Sequence, residues 1–326
     1  MLAPLRGVTV ATFRRAFVRF YGGFDAAVAP FIPTVAGERI RPAMLRDVAD
    51  AAGEAPMALV PQLIGKDPAQ IAPMARALRS LGHTRLNLNA GCPWKFVAKK
   101  GRGSGLLRDP EVLRRMLEAG CEAMPGGFSV KVRLGLDTPT LLAERIDILD
   151  EFPLAAVVVH PRTAAQMYDG DVDLDAFAAL LPLLRAPVVY NGDIRTADDF
   201  LRLRARFPTV AGWMIGRGAV SDPLLPRKIR IAAGETSCGV PAVADEMGTL
   251  RAFHDALYAE YRASLFGPAP VLGRMKELWG YLHVRFPDGE NALRRIQRSR
   301  TLEEFERHAA AAFESGPTVA VTVGTR

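Results

Sequence analysis

A short strand pattern in the first third of the chain reads Arg85-Leu-Asn-Leu-Asn-Ala-Gly-Cys-Pro-Trp94, and its tight Gly-Cys-Pro turn places Cys92 directly after the strand. The segment that follows, from Lys95 to Arg108, contains three glycines and five Lys or Arg residues. No acidic residue occurs between Leu86 and Arg108. A cysteine at a strand end beside a flexible cationic loop indicates a reactive group next to a site for a polyanion. The alternative is a small buried cysteine with a solvated basic loop beside it.

Similar apolar, β-rich runs recur along the chain and alternate with helical patterns. The runs are Met1 to Pro4, Ala26 to Pro33, Pro56 to Ile64, Arg85 to Asn89, Phe128 to Arg133, Ala155 to His160, Pro187 to Asn191 and Gly212 to Ile215. The helical patterns are 10–21, 68–81, 110–123, 139–149, 174–184 and 197–206. Near-continuous apolar strands that alternate with helices predict a parallel sheet covered by helices. Their number predicts an α/β fold of the (β/α)8 TIM-barrel type. A doubly wound open sheet is the alternative, but its glycine-rich first turn is missing from the sequence.

The strand–helix rhythm stops after Gly216-Arg-Gly-Ala219, and only helical patterns follow. We expect the barrel to occupy residues 1–235, a small all-helical C-terminal domain to occupy residues 242–315, and residues 316–326 to form a disordered tail. Gly234 to Pro241 is typical of a linker. Within the helical domain, Arg274 to Arg300 holds seven basic residues and three acidic ones, which indicates a basic face.

Composition and charge narrow the function classes. The chain has 326 residues, 49% of them apolar, a net charge of +7 and an isoelectric point near 9.6, which together favour a folded protein with polyanionic partners. Three widely spaced cysteines (Cys92, Cys121 and Cys238) argue against a disulfide framework or a zinc site. No cluster of Asp, Glu or His has metal-ligand spacing. We find neither a signal peptide nor an apolar run of about 18 residues, and therefore expect a soluble cytoplasmic protein.

Charged residues alternate with valine on the fifth strand. Lys131 and Arg133 share one face of Ser129-Val-Lys-Val-Arg133, and the valines share the other. On a strand covered on both sides, the charged face points inward. A buried lysine without a partner is costly, so we expect a bound anion there. The alternative is a salt bridge to a neighbouring carboxylate such as Asp193.

Other strand ends carry polar groups or glycine turns, and active sites of TIM barrels gather at these ends. The segments are Ala3-Pro-Leu5, Gln62, Asn89, His160-Pro-Arg162, Tyr190-Asn-Gly-Asp193 and Ile215-Gly-Arg-Gly218. Glycines after the last two strands leave backbone N–H groups free, as in the phosphate sites of many barrels. The pattern favours a phosphorylated heterocyclic cofactor over a metal.

A series of sequence blocks resembles the tRNA-dihydrouridine synthase family. The blocks are Leu86-Asn-Leu-Asn-Ala-Gly-Cys-Pro93, Gly105-Leu-Leu-Arg-Asp-Pro110, Ala3-Pro-Leu-Arg-Gly-Val-Thr9, Val130-Lys-Val-Arg-Leu-Gly135, Val159-His-Pro-Arg-Thr163, Asn191-Gly-Asp193 and Ile215-Gly-Arg-Gly218. The resemblance covers the whole barrel. Arg274-Met-Lys-Glu-Leu-Trp-Gly-Tyr-Leu282 resembles the helical domain of the bacterial subgroup that modifies uridine 16 in the D-loop of tRNA.

The resemblance implies an enzyme that reduces the uracil 5,6 double bond in tRNA with FMN and with NADPH, or NADH, as reductant. It implies hydride transfer to uracil C6 and proton donation to C5 by Cys92 as the catalytic acid. The FMN-binding residues would be Pro4, Leu5, Arg6, Gln62, Lys131, His160, Asn191, Gly192, Asp193, Gly216 and Arg217. The uracil and tRNA contacts would be Asn89, Lys95, Lys99, Lys100, Arg102, Arg133, Arg162, Arg274 and Lys276. The family usually has Met at the position of Leu5 and often Glu or Asp at the position of Arg6.

Two other functions stay open from the sequence. One is an FMN-dependent TIM-barrel reductase of a small-molecule pyrimidine or enone, which has no need of a basic cysteine loop or an added helical domain. The other is a catalytically inactive RNA-binding barrel, which has no need of Cys92 and Lys131. We expect tRNA as partner, no membrane, no metal and a monomer.

Overall fold

The computed structural model describes residues 1–37, 40–49, 57–235 and 243–316. In these ranges the strands are β1 (Ala26–Val28), β2 (Ile32–Pro33), β3 (Ala58–Val60), β4 (Gln62–Ile64), β5 (Leu86–Ala90), β6 (Phe128–Gly135), β7 (Ala156–Thr163), β8 (Val188–Asn191) and β9 (Gly212–Met214). Every pair among them is parallel. The hydrogen-bonded order is β1–β3 in one ladder and β2–β4–β5–β6–β7–β8–β9 in the other.

The two ladders and the N-terminus form a closed ring. Pro30 separates β1 from β2 and Pro61 separates β3 from β4, because proline has no N–H for a ladder hydrogen bond. Each split pair therefore occupies one strand position. Leu2 bridges in parallel to Ala27 of β1 and to Ile215 just after β9. The ring thus has eight strand positions, which confirms the predicted (β/α)8 barrel.

Helices alternate with the strands as the sequence predicts. They are α1 (Ala11–Phe20), α2 (Pro42–Ala49), α3 (Ile71–Ser80), α4 (Lys95–Lys99), α5 (Pro110–Ala123), α6 (Ile146–Asp150), α7 (Leu174–Leu180), α8 (Ala197–Arg206), α9 (Arg217–Ser221) and α10 (Leu225–Ala232). Helix α5 begins at the predicted residue because Asp109 Oδ1 accepts the Val112 N–H at 3.0 Å and Pro110 occupies the first turn. The sequence patterns did not predict α2, α4, α9 and α10, none of which is longer than eight residues.

An all-helical region follows, with α11 (Glu246–Ser264), α12 (Pro268–Leu282), α13 (Gly289–Arg298) and α14 (Leu302–Glu314). Its core is aromatic: Trp279 is fully buried and its Nε1–H donates to His254 Nε2 at 3.1 Å. The ring of Phe286 lies 5.0 Å from that of Trp279. The predicted helical C-terminal region is therefore present. The predicted linker from residue 236 onward and the predicted tail from residue 317 onward lie outside the described residues.

The chain divides into two compact units. The first comprises Met1–Arg6, Phe24–Ile194 and Asp198–Gly216. The second comprises Gly7–Gly23, Arg195–Ala197 and the described residues from Arg217 onward. Helix α1 belongs to the second unit, where the Phe13 and Phe253 rings meet edge to face at 5.6 Å. The predicted domain limits at residues 235 and 242 stay predictions.

Candidate active site

The turn after β5 holds Cys92 in a network of backbone hydrogen bonds. Asn89 Oδ1 accepts the N–H groups of Gly91 (3.1 Å) and Cys92 (2.8 Å). The Cys92 carbonyl accepts from the Ser104 N–H at 3.1 Å and from its Oγ at 2.9 Å. Gly103 has a φ of +57°, and a Cβ there would lie 2.8 Å from Cys92 Cβ. Only glycine therefore fits at the point where the basic segment crosses the cysteine turn.

The basic segment is folded and packed, although its glycines predict a flexible loop. It forms α4 and a 3₁₀ helix at Gly103–Arg108, in which Leu106 and Leu107 are fully buried. A Cβ on Gly105 would lie 2.1 Å from the Ala98 carbonyl oxygen, so the two short helices touch closely. The predicted tRNA-binding residues Lys95, Lys99 and Lys100 are exposed, and Arg102 is half-buried.

Burial raises the pKa of the Cys92 thiol above its ordinary value. A hydrogen bond from the Trp94 backbone and the positive charges of Arg133, Arg6 and Lys131 act in the opposite direction but do not overcome burial. The thiol is therefore protonated at neutral pH. A protonated thiol among cations is suited to donate a proton rather than to attack as a thiolate.

Lys131 lies beside Asn89 in the register between β5 and β6. Burial and the charge of Arg133 lower the pKa of Lys131 to about 7. No carboxylate in the described part of the chain pairs with the Lys131 amine. The alternative prediction of a salt bridge from Lys131 to Asp193 is wrong, because Asp193 pairs with Arg162. The bound anion at Lys131 stays a prediction that this geometry permits.

Arg133 ties the cysteine turn to the end of β7. Its side chain is buried; Nε donates to the Gly91 carbonyl at 3.1 Å and Nη1 to the Thr163 carbonyl at 2.8 Å. Its guanidinium also lies 5.2 Å from the centre of the Tyr168 ring. Burial lowers the pKa of Arg133 to about 10, so the group stays charged at neutral pH.

Four polar side chains, three of them buried, form a chain of hydrogen bonds in the barrel. Asn89 Nδ2 donates to Gln62 Oε1 at 2.8 Å, and Gln62 Nε2 donates to Asn87 Oδ1 at 2.7 Å. Asn87 Nδ2 continues to Ser129 Oγ at 2.8 Å. Both Gln62 amide atoms and both Asn89 amide atoms are therefore engaged within the protein, and the network fixes the residue that caps the cysteine turn.

Arg162, predicted to contact tRNA, is fully buried at the end of β7. Nη1 lies 3.1 Å from His160 Nε2 and donates to Asp193 Oδ1 at 3.2 Å, while Nη2 donates to Asp193 Oδ2 and, at 2.6 Å, to the Gly170 carbonyl. Asp193 itself has a φ of +35°, which is uncommon for a residue with a side chain. Arg162 therefore stabilises the turn after β8, and its side chain has no exposed surface for an RNA phosphate.

Glycines after β8 and β9 allow close backbone packing. A Cβ on Gly192 would lie 2.8 Å from Val172 Cγ1, and one on Gly216 would lie 3.2 Å from Ala3 Cβ. Asn191 Nδ2 donates to the Met214 carbonyl at 2.8 Å and so joins these two strand ends. Pro4 and Leu5 are partly buried in the first unit and Arg6 is exposed, while Arg217 begins α9 in the second unit.

Two predicted tRNA contacts of the second unit bind that unit's own backbone. Arg274 Nη1 donates to the Gly7 carbonyl at 2.6 Å, and Lys276 Nζ donates to the Ser299 carbonyl at 2.6 Å. Exposed cations on and directly after α13 are Arg294, Arg295, Arg298 and Arg300.

Sequence reasoning overlooked four residues of the first unit. Asn87 belongs to the amide network, Tyr168 covers Arg133, and Trp94 and Phe96 are exposed aromatic residues next to Cys92. The sequence contained a signal for Asn87, which shares a strand face with Asn89. It also contained one for Trp94 and Phe96, which flank Lys95 in a segment without acidic residues.

A closed parallel barrel with a protonated cysteine and cations at its strand ends defines a TIM-barrel enzyme. Solved structures with this fold include morphinone reductase, with a TM-score of 0.52 and 13% identity, covering 71% of this chain and 84% of that chain. The old yellow enzyme homologue from Zymomonas mobilis has a TM-score of 0.51 and 11% identity, covering 76% and 90%. At such identities these likenesses concern the fold alone.

The family model described as dihydrouridine synthase matches residues 1–272, and the chain belongs to this family. It is thus an oxidoreductase of the flavin-dependent kind that the sequence resemblance implies. A tRNA-dihydrouridine(16) synthase of Ralstonia nicotianae is 34% identical, covering 95% of this chain and 96% of that protein. Another from Cupriavidus necator is 32% identical, covering 93% and 94%. A probable tRNA-dihydrouridine synthase of Rickettsia conorii is 30% identical, covering 82% and 80%.

Among the described residues, none of the helices has the length and hydropathy needed to traverse a bilayer. In the same ranges, His, Cys, Asp and Glu side chains do not gather in groups of three or more around a common point for a metal.

Proposed function

We propose that this protein is a tRNA-dihydrouridine synthase that reduces the uracil 5,6 double bond of uridine 16 in the D-loop, with FMN as cofactor and NADPH as reductant. The observation that carries the proposal is the pair formed by Cys92 and Lys131. A protonated thiol directly after β5 and a desolvated amine on β6, which has no carboxylate partner among the described residues, lie near each other in a barrel from the dihydrouridine synthase family. The names of the full-length relatives support tRNA as substrate and position 16 as target.

One structural observation supports FMN as a ligand of the residues present. Lys131 is largely desolvated, and its depressed pKa means that an anionic ligand would restore its charge. A flavin ring with its electron-rich pyrimidine edge near Lys131 meets this need. His160 and Asn191 lie at neighbouring strand ends of the same unit. Arg217 and the glycine turns are assigned to the cofactor site because their positions match the motifs of the family.

The protein's part in the reaction is to hold the base and supply one proton. When bound and reduced by NADPH, FMN supplies the hydride that reaches uracil C6. Cys92 donates its thiol proton to C5, so the double bond becomes a single bond and the thiolate regains a proton from solvent. Asn89 and Arg133 orient the cysteine turn through Gly91. The Gly91 N–H donates to Asn89 Oδ1, and the Gly91 carbonyl accepts from Arg133 Nε. The target base has to leave the tRNA fold to reach these groups, as other nucleobase-modifying enzymes require.

The exposed lysines of α4 support contact with the tRNA backbone, and the cations of α13 support a second contact by the helical unit. The substrate supports a cytoplasmic location. A monomer is the simplest assembly for this scheme.

Spectroscopy of the purified protein tests the cofactor half of the proposal. We expect FMN-loaded protein to be yellow, to bleach on addition of NADPH without oxygen, and to regain colour when unmodified tRNA is added. Reoxidation by free uracil or an enone at a similar rate would favour a small-molecule reductase instead. Protein that cannot be loaded with FMN would contradict the proposal.

A further inference from the structure

Two large aromatic side chains lie exposed directly after the cysteine turn. Trp94 is 59% exposed and Phe96 is 69% exposed. Both belong to a folded segment, since the Trp94 carbonyl accepts the N–H groups of Val97 at 2.8 Å and Ala98 at 2.9 Å. Single exposed apolar residues are common on proteins, but two in three residues beside a reactive cysteine need an explanation.

The aromatic pair is surrounded by positive charge. Lys100 Nζ lies 4.1 Å from the centre of the Phe96 ring, and Lys95 and Lys99 are exposed beside it. Arg102 Nε is buried without a hydrogen-bond partner in the described part of the chain. No carboxylate occurs between residues 86 and 108 to neutralise this surface. Aromatic rings that alternate with unneutralised cations are the composition of surfaces that bind single-stranded nucleic acid.

Trp94 lies close enough to Cys92 for one RNA strand to contact both residues. Two residues span at most about 7 Å, and the Trp94 backbone hydrogen-bonds to the Cys92 thiol. A base stacked on the indole would thus be close in the strand to the base that Cys92 reaches. A protein partner or a second copy of the chain would need carboxylates to match these lysines, whereas an RNA strand supplies both rings and phosphates.

We propose that Trp94 and Phe96 form a stacking platform for unpaired tRNA nucleotides next to the target uridine, with Lys95, Lys99 and Lys100 on the adjoining phosphates. This inference rests on the proposed function, because it takes the same RNA as substrate. It assigns to Trp94 and Phe96 the role of keeping the nucleotides next to the reacting base unpaired.

Binding measurements on the full chain test the platform. Trp94→Ala and Phe96→Ala should each weaken binding of an unmodified tRNA transcript and of single-stranded oligouridylate by about 5- to 100-fold. Trp94→Tyr should restore most of the loss, since it keeps a stacking ring. Leu183→Ala is the matched control, because Leu183 is 54% exposed in the same unit and should leave the affinity unchanged.

Salt dependence separates stacking from phosphate contact. The aromatic variants should keep the slope of log affinity against log salt, whereas Lys99→Gln should reduce its magnitude by about 1. Unchanged tRNA affinity in Trp94→Ala would overturn the inference, as would an equal loss in Leu183→Ala. A change of molecular mass in Trp94→Ala would overturn it in favour of a second copy on this surface.

The two proposals can fail separately. Wild-type protein that makes dihydrouridine, with tRNA affinity independent of both rings, would overturn the platform alone. RNA binding that depends on both rings, without any dihydrouridine formed, would overturn the proposed function and keep the platform.

Discussion

Burial shifts the pKa values of Cys92 and Lys131 in opposite directions. It disfavours the charged form of each, so the pKa of the thiol rises and the pKa of the amine falls to about 7. Near neutral pH the thiol keeps its proton, which is the state that a general acid requires. The amine is held only partly charged until an anion joins it.

Replacing Lys131 by Met should change the pH dependence of stability in cofactor-free protein. Between about pH 7 and the ordinary lysine value of 10.5, the unfolded chain binds this proton and the folded chain does not. Wild-type stability should therefore fall as pH drops through that window, and Lys131→Met should lack this component. The variant should be more stable by up to a few kcal/mol at pH 7, with the gap closing toward pH 10.5. Denaturant unfolding at several pH values measures this.

Lys99→Met is the control for that measurement, because Lys99 is an exposed lysine of the same unit. A constant difference between Lys131→Met and wild type at all pH values would refute the depressed pKa of Lys131.

Replacing Cys92 by Ala should remove the proton donor and leave the fold intact. The hydrogen bonds that Asn89 and Ser104 make with the turn involve the Cys92 backbone, so they persist in the variant. We expect FMN content and tRNA affinity close to wild type, with turnover reduced by about 100- to 10,000-fold. Cys121→Ala is the matched control, since Cys121 is a partly buried thiol on α5. Normal dihydrouridine formation by Cys92→Ala would assign the acid to another group.

At the scale of elements, the segment from α4 through the 3₁₀ helix determines where Cys92 lies. Gly103→Ala and Gly101→Ala form a matched pair, because both positions have positive φ. A Cβ on Gly101 meets only Lys66 Cδ at 3.5 Å, an ordinary contact, whereas a Cβ on Gly103 overlaps Cys92. Both variants should lose about 1 kcal/mol from backbone strain.

Gly103→Ala should lose more stability than Gly101→Ala and should also change the rate at which iodoacetamide alkylates Cys92. Unfolding in denaturant and alkylation kinetics measure the two effects. Equal behaviour of the two variants would mean that Gly103 does not position the cysteine.

The strands were predictable to within a few residues because buried parallel strands are continuous apolar runs, as in β6 and β7. Side-chain parity on β6 also predicted that Lys131 and Arg133 share a face. Parity does not say what faces a side chain across the barrel, so a salt bridge from Lys131 to Asp193 stayed open as an alternative, although Asp193 pairs with Arg162.

Other features depend on tertiary packing that local sequence does not encode. The glycines of the basic segment predicted a flexible loop, but Gly103 and Gly105 serve close packing against Cys92 and Ala98. The exposure of Trp94 and the use of Arg274 on the Gly7 carbonyl likewise follow from packing. Motif position proposed the site residues, and the structure adds which of them, such as Arg162 and Arg274, hydrogen-bond within the protein.

At the scale of the molecule, the helical unit separates cations that stabilise it from cations that are available to RNA. Arg274→Ala should destabilise the protein by about 1 to 3 kcal/mol, because it leaves the Gly7 carbonyl without its partner. Arg298 is exposed and has no ion-pair partner in the described ranges. Arg298→Gln should therefore leave stability unchanged and reduce the salt slope of tRNA binding by about 1. The opposite pattern would place the RNA contact of this unit on α12.

Mass-spectrometric mapping of dihydrouridine in tRNA from a strain that lacks this gene tests both the reaction and the target position. We expect the deletion to remove the two added hydrogen atoms from uridine 16 and from no other position. Wild-type protein should restore them, and the Cys92→Ala protein should not. Full modification of uridine 16 in the deletion strain, or restoration by the Cys92→Ala protein, would contradict the proposed function.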